Sequence, residues 1–443
     1  MKKIFYLFAC ITFTSYAEDT KGIKFSEGAW AAILNEAKVQ NKLIFVDIYT
    51  VWCAPCKAMA AKVFTDTQVG EKFNNAFINY KIDAEKGEGI ELAKNYAITA
   101  YPTYLFVNPE GELVYRTMGA MPADKFINEA DRALSSGKKY RPTSDLEVEY
   151  NAGKRDAEFL YDFLKRKKLN GERSAVVLEE YLKVIPESLQ KTEKVLGVIS
   201  ENISTIDSRA FTILADALPR FINMTPEQQK YVMDGISRAK RNTFKQVIDR
   251  KDKALLDKLI EAVRATSYSR AGFEAEEKQF RLDYAKIMRD AENFKMIASK
   301  DGERLLAKTN EEMAMETQQK IAGFEAQAKA QGINQNTPEY AMVIDNMKQG
   351  VEKTTAFHLN EYAWGYVQLM TGKDDLETAL KWSERSIELV ESPVNLDTYA
   401  NLLSKLGRKK EAVKVQKKAI KMAKKQGIEL EGFEQTLKDI KQN

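Results

Sequence analysis

The stretch FVDIYTVWCAPCKAMA (residues 45–60) sets two cysteines two residues apart, directly behind a run that reads as a buried strand. KLIFVDIY (42–49) is short, apolar and rich in branched and aromatic residues, which is the composition of a central strand. PCKAMAAKVF continues with helical spacing. Cys53 therefore falls at a helix N-terminus, where unpaired N–H groups and the helix dipole favour a thiolate. A free cysteine ionises near about 8.5, and such a position lowers this to roughly 7 or below. Cys56, one turn into the helix, is expected to be the more buried of the two, with Cys53 the exposed nucleophile. A nucleophilic thiol with a resolving thiol behind it is the arrangement of thiol–disulfide exchange, the pair closing as a Cys53–Cys56 disulfide.

Other uses of the pair fit poorly. The chain has three cysteines, Cys10, Cys53 and Cys56. A bridge between Cys53 and Cys56 closes a very small ring and restrains the unfolded chain little, so a structural staple explains it badly. A tetrahedral zinc site needs four N or S ligands. The single histidine, His358, is far away in sequence. No metal and no cofactor are expected.

Of 443 residues, 44% are apolar and 30% charged, enough for more than one core. A net charge of +4 over this length gives no reason to expect a nucleic-acid partner. The lysine-rich face of 408–425 lies opposite a stripe of Ala412, Val413, Ala419, Ile420 and Ala423, and reads as a solvated helix face. MKKIFYLFACITFTSYAEDT, at the start, has a positive beginning, a short apolar core and small residues at Ser15 and Ala17. This is the pattern of a secretory signal cut after Ala17. The alternative is a lipid anchor on Cys10. Either way a secreted protein, in the bacterial periplasm, is expected.

Further segments follow in order: FINYKID (77–83) as a strand, IELAKNYAI (90–98) as a helix, PTYLFVNPEGELVYRTMG (102–119) as a hairpin, and ADKFINEADRAL (123–134) as a closing helix. With WCAPCK, Asp47 six residues before Cys53, and AYPT around Pro102, residues 22–137 resemble thioredoxin. VFTDTQVGEKFN (63–74) is more similar to the thioredoxin domain of the transmembrane bacterial disulfide reductase. The resemblance implies an α/β thioredoxin-like fold and catalysis by Cys53 and Cys56, with Asp47 as the buried acid assisting Cys56. It implies a cis Pro102, preceded by Tyr101 that bonds the substrate chain through its backbone. Trp52, Pro55, Tyr101 and Pro102 would form the substrate-binding surface. Ala54 stands where thioredoxin has glycine, Tyr49 where it often has tryptophan, and Asn79 where it has a lysine, with Lys81 two residues on.

After the polar stretch SSGKKYRPTSD (135–145), taken as a linker, no strands are evident. DAEFLYDFLKRKKL (156–169), SAVVLEEYLKVI (174–185) and KALLDKLIEAVRA (253–265) carry apolar residues at three- and four-residue spacing. Segment 364–393 aligns with 399–427: Trp364 with Tyr399, Gly372 with Gly407, Ala379 with Ala412, Ser386 with Ala419, the first inter-helix turn being two residues longer. This repeat resembles the tetratricopeptide motif. The expected organisation is a signal (1–17), a thioredoxin-like domain (18–138), degenerate helical repeats (139–355) and tetratricopeptide-like repeats (356–443), an all-α helical-hairpin array. The expected function is reduction of protein disulfides, the direction resting on Pro55 before the second cysteine, as in reducing thioredoxins. Disulfide-containing proteins would be the substrates, a membrane disulfide reductase the electron donor, and a protein partner would bind the helical repeats. The alternative is a binding scaffold or chaperone whose redox pair is regulatory.

Overall fold

The computed structural model describes residues 22–330 and 332–442. The expected signal, its cleavage after Ala17 and the Cys10 alternative lie outside the described residues. The chain forms two compact units, divided between Ala239 and Lys240. The boundary expected near 138 falls inside the first of them.

The first unit opens with α1 (Trp30–Gln40), β1 (Leu43–Tyr49), α2 (Ala54–Lys62), α3 (Thr67–Ala76), β2 (Phe77–Asp83), α4 (Glu88–Asn95), β3 (Thr103–Val107), β4 (Leu113–Met118) and α5 (Ala123–Lys138). The sheet order is β2-β1-β3-β4. β1 runs parallel to β2 and antiparallel to β3, and β4 runs antiparallel to β3. The residues of β1 between its two ends are all buried, as its unbroken apolar run requires of a strand covered on both faces. Alternation splits them. Phe45, with Tyr104 and Phe106 of β3, packs on Met59 of α2, Phe73 of α3 and Phe126 of α5. Ile44, Val46 and Ile48 face the other way, onto Ile33 and Ala37 of α1. The Phe45 ring centroid lies 4.8 Å from that of Phe73 and 5.7 Å from that of Phe126, so one strand residue ties two helices to the sheet.

Helices then follow: α6 (Thr143–Asn151), α7 (Ala157–Leu169), α8 (Ala175–Val184), α9 (Glu193–Asn202), α10 (Arg209–Ala215) and α11 (Pro226–Arg250), within which the division falls. The linker expected over 135–145 is largely helix. α5 continues through Lys138 and α6 begins at Thr143, leaving only 139–142 between them. The reason is Gly137: a Cβ there would lie 2.9 Å from Leu43 Cδ1, so its bare backbone lets the helix run on past the start of β1.

The second unit continues with α12 (Lys253–Ala265), α13 (Arg270–Ile287), α14 (Ala291–Ala307), α15 (Asn310–Ala330), α16 (Pro338–Lys348), α17 (Gly350–Leu369), α18 (Lys373–Leu389), α19 (Pro393–Lys405), α20 (Lys409–Lys425) and α21 (Glu431–Gln442), with no strand among the described residues. Pro226, Pro338 and Pro393 each occupy a first helical position, where a missing N–H costs nothing. Successive helices from α17 to α20 are joined by the short connections 370–372, 390–392 and 406–408 and pack on one another as helical hairpins. Ala379, Ser386, Ala412 and Ala419 are fully buried at these packed faces. The longer turn expected in the first hairpin is not there. Ala379 follows six residues of α18 and Ala412 three of α20, so the extra length is helix rather than connection.

Close packing in this unit depends on glycine. A Cβ on Gly365 of α17 would stand 2.0 Å from Phe294 Cζ of α14, and Phe294 is only 3% exposed. Alanine at an ordinary helical glycine stabilises by about 1 kcal/mol. Forcing a methyl into a filled core costs about 1–3 kcal/mol. Gly365→Ala should therefore destabilise by up to about 2 kcal/mol net, seen as a lower urea midpoint by far-UV circular dichroism. A raised midpoint would show that the Phe294 ring yields freely.

Candidate active site

The end of β1 delivers the chain into the cysteine turn. Cys53 N–H donates to Thr50 C=O at 3.2 Å, closing that turn. Cys53 is the N-cap of α2, and its sulfur accepts from Cys56 N–H at 3.1 Å. The sulfur thus occupies the place that a capping side chain usually takes, where the helix end carries partial positive charge. Cys53 and Cys56 are joined as a disulfide, with Cα atoms 5.3 Å apart.

One expectation is corrected. Cys53 is not the exposed member: it is 3% exposed and Cys56 7%. Capping explains this, because the bond from Cys56 N–H turns the Cys53 sulfur back over the helix end.

Asp47 lies on β1 two residues beyond Phe45 and faces the same side of the sheet, that of α2. Cys56, three residues before Met59, belongs to the buried face of α2. Asp47 is 6% exposed, so burial pushes its carboxyl up to about 7, while Lys81 pulls the other way. Lys81 is the register partner of Asp47 on β2. The family lysine that the sequence displaced to this position therefore still acts on the acid, through strand pairing. Asn79, by contrast, donates from its amide to Lys24 C=O and to Asn74 Oδ1.

On its other side Asp47 pairs in register with Tyr104 of β3. Tyr104 is fully buried, and its hydroxyl makes no hydrogen bond among the described residues. Burial, and then the Asp47 charge, raise its phenol above the ordinary range. Sequence reading missed this neighbour. The tyrosine directly follows the YPT motif, and only strand register brings it beside the acid.

The peptide bond between Tyr101 and Pro102 is cis, as the resemblance implied. The Trp52 ring stands edge-on to Tyr101 with centroids 5.9 Å apart. Trp52 is 63% exposed yet fixed, because its indole N–H donates to Glu85 Oε1 at 2.9 Å. Glu85, beyond the end of β2, was also not anticipated. Pro55 is exposed in the first turn of α2. The structure therefore gathers Trp52 and Tyr101 into one aromatic contact and places Asp47 on the α2 side of the sheet. Among the described residues no cluster of histidine, cysteine or carboxylate groups could hold a metal.

Residues 30–134 match the thioredoxin-like domain family. Thioredoxin H4 of Arabidopsis thaliana is 36% identical over 95 residues, which cover 21% of this chain and 75% of that protein. The chain belongs to the thioredoxin family. The thiol:disulfide interchange protein DsbD of Vibrio cholerae serotype O1 is 32% identical over 123 residues, 26% of this chain and 20% of that longer protein. A solution structure from Bacteroides thetaiotaomicron, assigned as a disulphide-isomerase, is 45% identical and covers 26% of this chain and 95% of its own, with a TM-score of 0.25. With the Cys53–Cys56 pair in place, the thioredoxin domain is that of a thiol–disulfide oxidoreductase.

The raised Asp47 carboxyl makes stability depend on pH. Unfolded, the group ionises near 3.8; folded, at about 7. Between these values the folded state holds an extra proton, so stability falls as pH rises through that window and levels off above it. At 1.36 kcal/mol per unit, the loss is on the order of 4 kcal/mol. Asp47→Asn should remove this dependence. The variant should gain on the parent between pH 4 and 8 in urea unfolding of the oxidised protein. Parallel pH profiles for the two would mean that the carboxyl is not held neutral by burial.

Proposed function

We propose that the protein reduces disulfides of other proteins in the periplasm, and that its helical hairpins hold a protein partner. The observation that carries this reading is the Cys53 sulfur capping α2, with the buried Asp47 facing that helix from β1. In the reduced enzyme the Cys53 thiolate, favoured by the helix end, attacks one sulfur of a substrate disulfide. A mixed disulfide forms and the other substrate sulfur leaves as a thiolate. Asp47 takes the proton from Cys56, whose thiolate then attacks Cys53. The second substrate sulfur is released, leaving the substrate with two thiols and the enzyme with the Cys53–Cys56 disulfide. A dithiol donor must restore the enzyme, and a membrane disulfide reductase would supply it. The similarity to DsbD, named for thiol:disulfide interchange, supports this place in an electron chain.

Proline before the second cysteine supports the reducing direction. The leader pattern of residues 1–17 supports export. Buried small residues at repeated positions of α17–α20 support tetratricopeptide-like hairpins as the partner surface. Trp52, pinned by Glu85 beside Tyr101 and Pro102, would hold the substrate segment that flanks the disulfide.

Cys53→Ser should abolish the acceleration of insulin reduction by dithiothreitol over the uncatalysed rate, and Cys56→Ser should accumulate substrate as a mixed disulfide on Cys53, visible by mass spectrometry. Insulin turnover by Cys53→Ser equal to the parent would end the enzymatic reading. A reducing role also requires a potential nearer to roughly −270 mV than to the roughly −120 mV of a strong oxidant, measured by equilibration with a dithiol redox buffer. Asp47→Asn should slow the resolving step near neutral pH by about tenfold or more, as loss of a proton acceptor does, and leave the first attack unchanged in single-turnover kinetics.

A further inference from the structure

Within the first unit, β4 is the outer strand of the sheet, and its outward side is not closed. Residues 114–118 line a groove of about 1070 Å³ whose other wall is built by α7 and α9. Gly119 N–H donates to Pro102 C=O at 2.9 Å. In an antiparallel pair, backbone bonding alternates along the strand. With Tyr104 opposite Thr117 and Leu105 opposite Arg116, the backbone groups of Thr117 point at β3, and those of Arg116 and Met118 point away into the groove. Among the described residues no other segment bonds to them. At the far end Arg166 of α7 donates to Leu113 C=O at 2.7 Å and closes the edge there. The open part is therefore the end nearest the active site: Met118 pairs with Thr103, the residue after cis Pro102.

The groove is also strongly cationic. Lys139, Lys165 and Lys194 line it without a carboxylate partner among the described residues. Lys194 Nζ stands 3.7 Å and Lys165 Nζ 5.5 Å from the centroid of the same Tyr161 ring, which draws two like charges to one spot. Three carboxylates face them: Glu201 is held by Lys168, Glu193 accepts from Thr225 Oγ1, and Asp162 is exposed.

We propose that this groove takes an extended acidic segment of the substrate polypeptide, which adds as a strand to the outer edge of β4. Its backbone pairs with Arg116 and Met118, and its carboxylates meet Lys139, Lys165 and Lys194. An added strand gains its affinity from main-chain bonds and its selectivity from the side chains that flank it. Ending beside Pro102, the strand would lead its cystine toward Cys53. This rests on the disulfide-reductase reading and names its substrate class.

The test uses the full chain and two peptides with the same cystine loop and the same alternating valine flank. One carries glutamate at the polar positions of the flank and the other glutamine. Hydroxyethyl disulfide serves as a neutral substrate with no flank. The glutamate peptide should show a kcat/KM roughly tenfold higher than the glutamine peptide, as three exposed charge pairs allow. Combining Lys139→Glu, Lys165→Glu and Lys194→Glu should erase that preference and leave hydroxyethyl disulfide turnover unchanged. Proline at alternate flank positions should erase it too, because proline cannot donate to the strand edge. Equal rates for the two peptides, or a preference that survives the triple variant or the prolines, would overturn the proposal. Binding of a fluorescent, cysteine-free glutamate flank is read separately by anisotropy. Absence of hydroxyethyl disulfide turnover would then defeat the redox reading alone, while absence of flank binding would defeat the groove. A single-stranded oligodeoxynucleotide binding as tightly as the flank would overturn the choice of an acidic peptide.

Discussion

Burial of β1 on both faces is the constraint from which the active site follows. A strand left uncovered on its Phe45 face would leave Asp47 in water, with an ordinary acidity. Here the alternation that sends Phe45 into one core and Val46 into the other also carries Asp47 inside. The same strand then ends in the turn where Cys53 N–H meets Thr50 C=O. Position and chemistry share one cause: the sheet core fixes where the cysteine turn stands, and its low polarity fixes how the carboxylate titrates.

Two influences meet at that carboxylate, and a third group stands beside it. Burial is the larger, and it favours the neutral form. Lys81, its neighbour across β2, favours the charged form. Tyr104, across β3, carries a buried hydroxyl with no hydrogen-bond partner among the described residues. The acid is thus held between a cation and a phenol in one row across three strands. That row is a product of register, since a slip of one residue on either neighbour would send its side chain to the other face of the sheet.

Much of this was legible in the sequence, because the informative signals were local. The strand-turn-helix around WCAPCK, the cis proline in AYPT, the hairpin over 102–119 and the helices at 156–169, 174–185 and 253–265 all show as short patterns. Other features were hidden by distance. Tyr104 and Lys81 become neighbours of Asp47 only through pairing, and Glu85 meets Trp52 across thirty-three positions. The groove beside β4 collects residues from five separate helices and a strand, none of which forms a motif. The polar run after residue 134 misled for a physical reason: composition reads Ser-Ser-Gly-Lys as a linker, whereas Gly137 is where the helix passes Leu43.

That continuous α5 bears on how separable the redox domain is. Only 139–142 lie between α5 and α6, and α7 reaches back to β4 through the bond from Arg166 to Leu113 C=O. A fragment ending at Lys138 would keep every catalytic residue and lose the helix that closes the Leu113 end of the sheet margin. Its last strand would then offer a bare row of backbone donors and acceptors to any second copy, the usual start of edge-to-edge aggregation. The helices after residue 142 therefore close the Leu113 end of this edge as well as extending the domain.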